Sequence, residues 1–110
     1  MELGTENIGD ITIVRVLTDV LDASNTEEFK ADITPIFEKS KKILLEMGRV
    51  KFIDSSGCGV LLYCLRQLNS LGGTLKLYGV QESVRTLFDL VRMHRIIEVF
   101  DTKEEAVKSF

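Results

Sequence analysis

The sequence predicts an α/β fold: a mixed, mostly parallel sheet of about five strands, opened by an N-terminal hairpin and packed with about four helices. Three observations predict it. Short β-branched or leucine-rich runs recur along a chain of 110 residues, 45% of them hydrophobic. Between these runs lie stretches with apolar residues at helical spacing. After the opening hairpin, strand and helix alternate, the arrangement in which right-handed helical crossovers join parallel strands. Length and composition suit one domain with one core, spanning residues 1–110.

Residues 11–17, ITIVRVL, are β-branched and bounded by Gly9-Asp10 and Thr18-Asp19, which marks a strand. Residues 2–8 are placed to pair with it through Gly9-Asp10. Ser24-Asn25-Thr26-Glu27 puts a capping residue three positions before a Glu and leads into Phe29, Ile33, Ile36 and Phe37 at helical spacing. Pro35 lies inside that stripe and removes a donor, which predicts a kink or break near Thr34. The apolar runs 42–47 and 50–53 flank Gly48-Arg49 and read as one bulged strand or two pieces of one. After Gly57, Cys58, Leu61, Leu62, Leu65 and Leu68 form one stripe, stopped by Gly72-Gly73. Residues 74–80 read as a strand, Val84, Leu87, Phe88 and Val91 as a further helical stripe, and 96–100 as the last strand. Thr102 with Glu105 repeats the cap-and-Glu pattern before a short C-terminal helix. Phe29, Phe37, Phe52, Phe88 and Phe100 fall at expected core positions, and Lys39, Lys41 and Lys42 at a solvated helix end.

Composition removes several functions. The formal charge is −3 with no block of Lys or Arg, a poor match for nucleic acid or an anionic membrane surface. No apolar stretch approaches the roughly 20 residues that cross a bilayer, and the acidic start MELGTENIGD is no signal peptide, so a soluble, cytoplasmic protein is expected. Cys58 and Cys64 would lie roughly 9 Å apart along one helix, out of disulfide reach, and read as small buried hydrophobes. His94 is the sole histidine and reads as a surface turn residue; with no C-x-x-C pair, no metal or other cofactor is expected.

The stretch FIDSSGCGV, residues 52–60, is the candidate site. It sits where a strand ends and a helix begins, the place where α/β sheets gather their sites. A nucleophile elbow needs G-x-S-x-G and a base, but Asp54 stands two before Ser56 and only His94 could serve. A P-loop needs a Lys after the glycines, and none follows. Acid pairs drawn from Asp19, Asp22 and Asp54 carry no specificity. What remains is a hydroxyl at a helix N-terminus, or simply a helix cap supplied by Asp54, Ser55 or Ser56.

These residues resemble the STAS domains, and specifically the bacterial anti-sigma factor antagonists. VKFIDSSGCGVLL is similar to the signature loop of that family, VLDASN to its early turn, GGTLKLYGV to the strand after the helix, and SVRTLFDL and FDTKEEAV to later elements. The resemblance implies a STAS-like domain and a phosphoacceptor at Ser56, with Ser55 its neighbour. Asp22 and Asp54 are implied to border a partner interface, and Gly57 and Gly59 to keep the approach open. The implied partner is an anti-sigma factor with ATP-dependent serine kinase activity, with a phosphoserine phosphatase to reverse the modification. On this reading the chain is a substrate and no enzyme. The chain departs from the family pattern at Asp19, Val20, Glu46, Gly48 and Gln81, and VRMHR lacks a glycine usual before the last strand. Two alternatives stand beside this one: an unphosphorylated STAS subunit of a stress-sensing or transporter assembly, and a small nucleotide-binding protein.

Overall fold

In the computed structural model, which describes residues 1–110, the sheet is built from β1 (Leu3–Ile8), β2 (Ile11–Val16), β4 (Lys42–Glu46), β6 (Thr74–Tyr78) and β7 (Glu98–Phe100). Between them run β3 (Val20–Leu21), α1 (Thr26–Lys39), β5 (Phe52–Ile53), α2 (Ser55–Ser70), α3 (Glu82–Val91), a single 3-10 turn (Met93–Arg95) and α4 (Lys103–Lys108). The strand order is β1-β2-β4-β6-β7; β1 and β2 form the expected antiparallel hairpin and every other pairing is parallel. Gly9 turns the hairpin at φ +60°, a conformation that costs glycine little.

Side-chain alternation along the strands explains the two faces. Val14, Val16, Ile43, Leu45, Leu75 and Leu77 point toward α1, α2 and α3, where they join Phe29, Ile33, Phe37, Leu61, Leu68 and Phe88 in the main core. Ile11, Ile13, Leu44 and Tyr78 point the other way and are covered by Ala106 of α4. The central strand β4 therefore reads apolar without a break, because both of its faces are buried.

Several details differ from the sequence expectation. Runs 42–47 and 50–53 are not one strand: β4 belongs to the main sheet, while β5 pairs in parallel with β3 in a separate two-stranded sheet. Helix α1 passes through Pro35 unbroken, and the Thr34 hydroxyl donates to the Lys30 carbonyl at 2.7 Å. Its N-cap is Asn25, whose side chain turns back to accept from the Asp22 N–H and donate to the Val20 carbonyl. Phe52 is 53% exposed and Phe100 half-buried, so only Phe29, Phe37 and Phe88 of that set lie deep in the core. Val91 and Ile96 are exposed, and the last strand begins only at Glu98. Lys41 donates to the Phe37 carbonyl at the end of α1, whereas Lys42 sits in β4 and pairs with Asp10. Arg92, in the VRMHR stretch, takes the left-handed conformation at φ +57°, a strain of about 1 kcal/mol for a side chain with a Cβ.

Lys76 is the one buried cation. Its ammonium donates to the Ser109 carbonyl at 2.7 Å and the Ser109 hydroxyl at 2.9 Å, with the Phe110 ring centroid 4.8 Å away. The charge thus ties the end of α4 to the sheet. Lys76→Ala should destabilise the protein by about 2 kcal/mol in denaturant unfolding and speed amide exchange in α4, because the charged hydrogen bonds that tie Ser109 to the sheet are lost.

Burial pushes the Cys64 thiol up from 9.0 to about 12, and burial followed by the Glu46 carboxylate also raises the Tyr78 phenol. The unfolded chain releases these protons first. Their contribution is therefore complete below the ordinary pKa of each group and is lost as pH climbs toward the raised one. Unfolding midpoints should fall from about pH 9 upward, and Cys64→Ala should make that slope shallower.

Candidate functional site

The site forms where β5 hands the chain to α2. Asp54 is the N-cap: its Oδ1 accepts the Gly57 N–H at 2.9 Å, and its carbonyl accepts the Cys58 N–H at 3.0 Å. Its other oxygen, Oδ2, accepts the Ala23 N–H at 3.2 Å from the turn that follows β3. Asp54 is therefore the cap, which leaves the two serines that follow it with no capping duty. Ser55 and Ser56 are the first two residues of α2, both exposed, and neither hydroxyl takes part in a hydrogen bond within the chain. They stand at the positive end of a 16-residue helix, where a negative group is stabilised.

Asp22 lies nearby in sequence space to Ala23 and is half-buried. Its Oδ1 accepts the Ser24 N–H at 3.0 Å and the Ser24 hydroxyl at 2.5 Å, and its carbonyl accepts the Asn25 and Thr26 N–H groups. The Asp22 side chain thus shapes the turn that starts α1. Asp19 pairs loosely with Arg49 at 3.5 Å, both largely exposed. Gln81 precedes α3 without capping it and instead donates to the Gly48 carbonyl at 2.8 Å, while the Ser83 hydroxyl donates to the Lys51 carbonyl at 2.7 Å. Glu46 accepts from the Tyr78 hydroxyl at 2.9 Å, on the α4 side of the sheet.

The two glycines of the loop do different work. Gly57 is buried, and a Cβ there would stand 2.3 Å from the Leu21 carbonyl oxygen and 2.4 Å from Ile53 Cγ1. Glycine is required by this interior contact and does not open a path for a partner, contrary to the expectation from sequence. Gly59 is exposed, and a Cβ there would meet nothing within 4 Å.

One feature had no warning in the sequence. Cys58, Leu62, Leu87, Val91, Met93 and Ile96, together with Ser55 and Gly59, line an apolar groove of about 290 Å³ between α2 and the end of α3. Val91 and Ile96, which the sequence places inside, lie exposed on either side of the left-handed turn at Arg92. Burial, and then the Asp54 carboxylate, raise the Cys58 thiol, which makes it a poor nucleophile. His94 is exposed in the 3-10 turn.

Comparison with known proteins adds a family. The STAS domain model matches residues 2–106. A candidate anti-sigma factor antagonist of Bordetella bronchiseptica is 28% identical over 111 residues, covering 100% of this chain and 95% of the relative. The anti-sigma-B factor antagonist of Bacillus subtilis is 25% identical over 88 residues, covering 80% and 81%. The crystal structure of a candidate anti-sigma factor antagonist from Thermotoga maritima superposes with a TM-score of 0.86 at 27% identity, covering 97% of this chain and 92% of that one. The murine anion transporter Slc26a9 contains the same fold, with a TM-score of 0.78 at 19% identity over 93% of this chain and 18% of its own.

Gly57→Ala should destabilise the protein by about 1–3 kcal/mol or more, seen as a lower denaturant midpoint with little change in slope, since the contacts it meets are backbone and a packed isoleucine. Gly59→Ala should leave stability unchanged or slightly raised in the same measurement.

Proposed function

The chain belongs to the STAS domain family, and from that membership we propose that it is an anti-sigma factor antagonist whose binding is switched off by serine phosphorylation. One observation carries the reading. Two hydroxyls stand exposed and unbonded on the first turn of a rigid helix whose cap is supplied by another residue, Asp54. The unmodified chain docks this end of α2 and the Asp22 turn onto an anti-sigma factor and so releases the sigma factor. We place the exchange in the cytoplasm. Kinase activity belongs to the partner, which supplies nucleotide, metal and catalytic groups; a phosphatase restores the free hydroxyl. The chain is the substrate.

Phosphorylation adds about −1.5 to −2 charges, taking the formal −3 to about −5. Two effects follow. Inside the molecule the helix N-terminus favours the phosphate by about 0.3–1 kcal/mol, so the fold is kept. At an interface, a buried dianion without a cationic partner costs several kcal/mol, so docking is lost. The switch acts at the contact surface and asks for no rearrangement of the sheet.

The family resemblance assigns the phosphate to Ser56. A second assignment is favoured by geometry: of the two serines only Ser55 lines the apolar groove, and a partner gripping that groove would hold Ser55 close. Incubation with Mg-ATP and a candidate anti-sigma kinase, followed by mass spectrometry, separates them. Ser56→Ala should abolish labelling if Ser56 is the acceptor, and Ser55→Ala if it is Ser55. Substituting Asp at the acceptor should weaken binding by at least about tenfold, whereas Ala should bind like the unmodified chain. A chain that takes no label, and whose Ala and Asp variants bind alike, favours the unphosphorylated regulatory subunit instead. Specific uptake of labelled nucleotide by the chain alone would favour the nucleotide-binding alternative.

A further inference from the structure

We propose that Asp54 is a positioning residue whose two carboxylate oxygens clamp the Asp22 turn to the first turn of α2, so that turn and serines meet a partner as one rigid surface. The inference rests on the docking function proposed above. Two segments far apart in sequence build that surface, and three contacts hold them together. The ladder between β3 and β5 ends at the pair Leu21 and Ile53. Gly57 packs against the Leu21 carbonyl. Beyond Leu21 the turn leaves the ladder, and from there its polar link to α2 is the Ala23 N–H on Asp54 Oδ2. The same carboxylate holds the Gly57 N–H through Oδ1, so one rigid group spans both segments.

The chemistry makes the two bonds separable. Asn keeps an oxygen for Gly57 but replaces Oδ2 with an amide NH2, which cannot accept from Ala23. Ser is a good N-cap and satisfies the helix, yet its side chain is too short to bridge two loops. If Asp54 were only a cap, Asp54→Ser would restore everything.

The test uses the full chain with Asp54→Asn and Asp54→Ser. In both, the Ala23 amide should exchange about fivefold faster while the Gly57 amide keeps its protection, and affinity for the anti-sigma factor should fall by a similar factor. Wild-type exchange at Ala23 in Asp54→Asn overturns the clamp, and so does wild-type affinity in Asp54→Ser. Failure of the unmodified wild-type chain to bind any anti-sigma factor would count against the proposed function, and Ala23 exchange would still decide the clamp.

Discussion

The first turn of α2 lies so close to β3 that no methyl group fits between them, and the rest of the site follows from that closeness. Gly57 is packed against the Leu21 carbonyl and Ile53. A helix held this tightly cannot tilt or slide without breaking the short β3–β5 ladder beside it. With the inner side of the turn committed to Gly57, the residues before it must face outward. Ser55 and Ser56 are exposed for this reason, and Asp54, at the last extended position, falls where one carboxylate reaches both the helix and the neighbouring turn. The exposure of the serines is thus a consequence of packing on the opposite side of the same turn.

Much of the fold could be read from periodicity because the core obeys it. The stripe Phe29, Ile33, Phe37 and the stripe Cys58, Leu61, Leu68 are both buried as their spacing requires. The errors came where a tertiary contact outweighed a local rule. Two-residue strands leave too little alternation to detect, so β3 was invisible and β5 merged with β4. Phe52 looked like core because aromatic residues usually are, but in a two-residue strand its neighbour Ile53 takes the inward side and Phe52 must point out. Ser24, three residues before Glu27, reads as the cap of α1, yet its hydroxyl donates to Asp22, and the N-cap position falls to Asn25, whose side chain bonds to Val20 and Asp22 in the preceding turn. At the site, the serine pair and Asp54 were legible as a motif. The role of Gly57 was not, since a glycine's neighbours across the fold leave no mark in the local sequence.

The same sheet and helices occur in a transporter at 19% identity, so the fold by itself selects no partner. Selection must come from what the chain leaves on the surface around the serines. That surface has two chemistries side by side. One is acidic, from Asp19, Asp22 and Asp54; the other is apolar, from Phe52, Val91 and Ile96 and the groove beside Ser55. The left-handed turn at Arg92 belongs to this account, because it lies between Val91 and Ile96, both of which line the groove. A partner suited to both chemistries offers apolar anchors bordered by neutral hydrogen-bond donors, with no cation set opposite the serines.

Magnitudes explain why one modification can govern such a surface. Fully burying a large apolar side chain yields about 1.5–3 kcal/mol, and each of these side chains is already part-covered, so each has only a fraction of that left to give. Three or four of them together supply a few kcal/mol toward docking. A phosphate placed in their midst without a matching cation costs about as much, because its water is stripped and not replaced. Under the proposed switch, two quantities of similar size let one phosphoryl group tip the balance. A larger apolar interface would be deaf to the modification, and a purely ionic one would be governed by salt. The groove beside Ser55, about 290 Å³, is a small apolar contact of this kind.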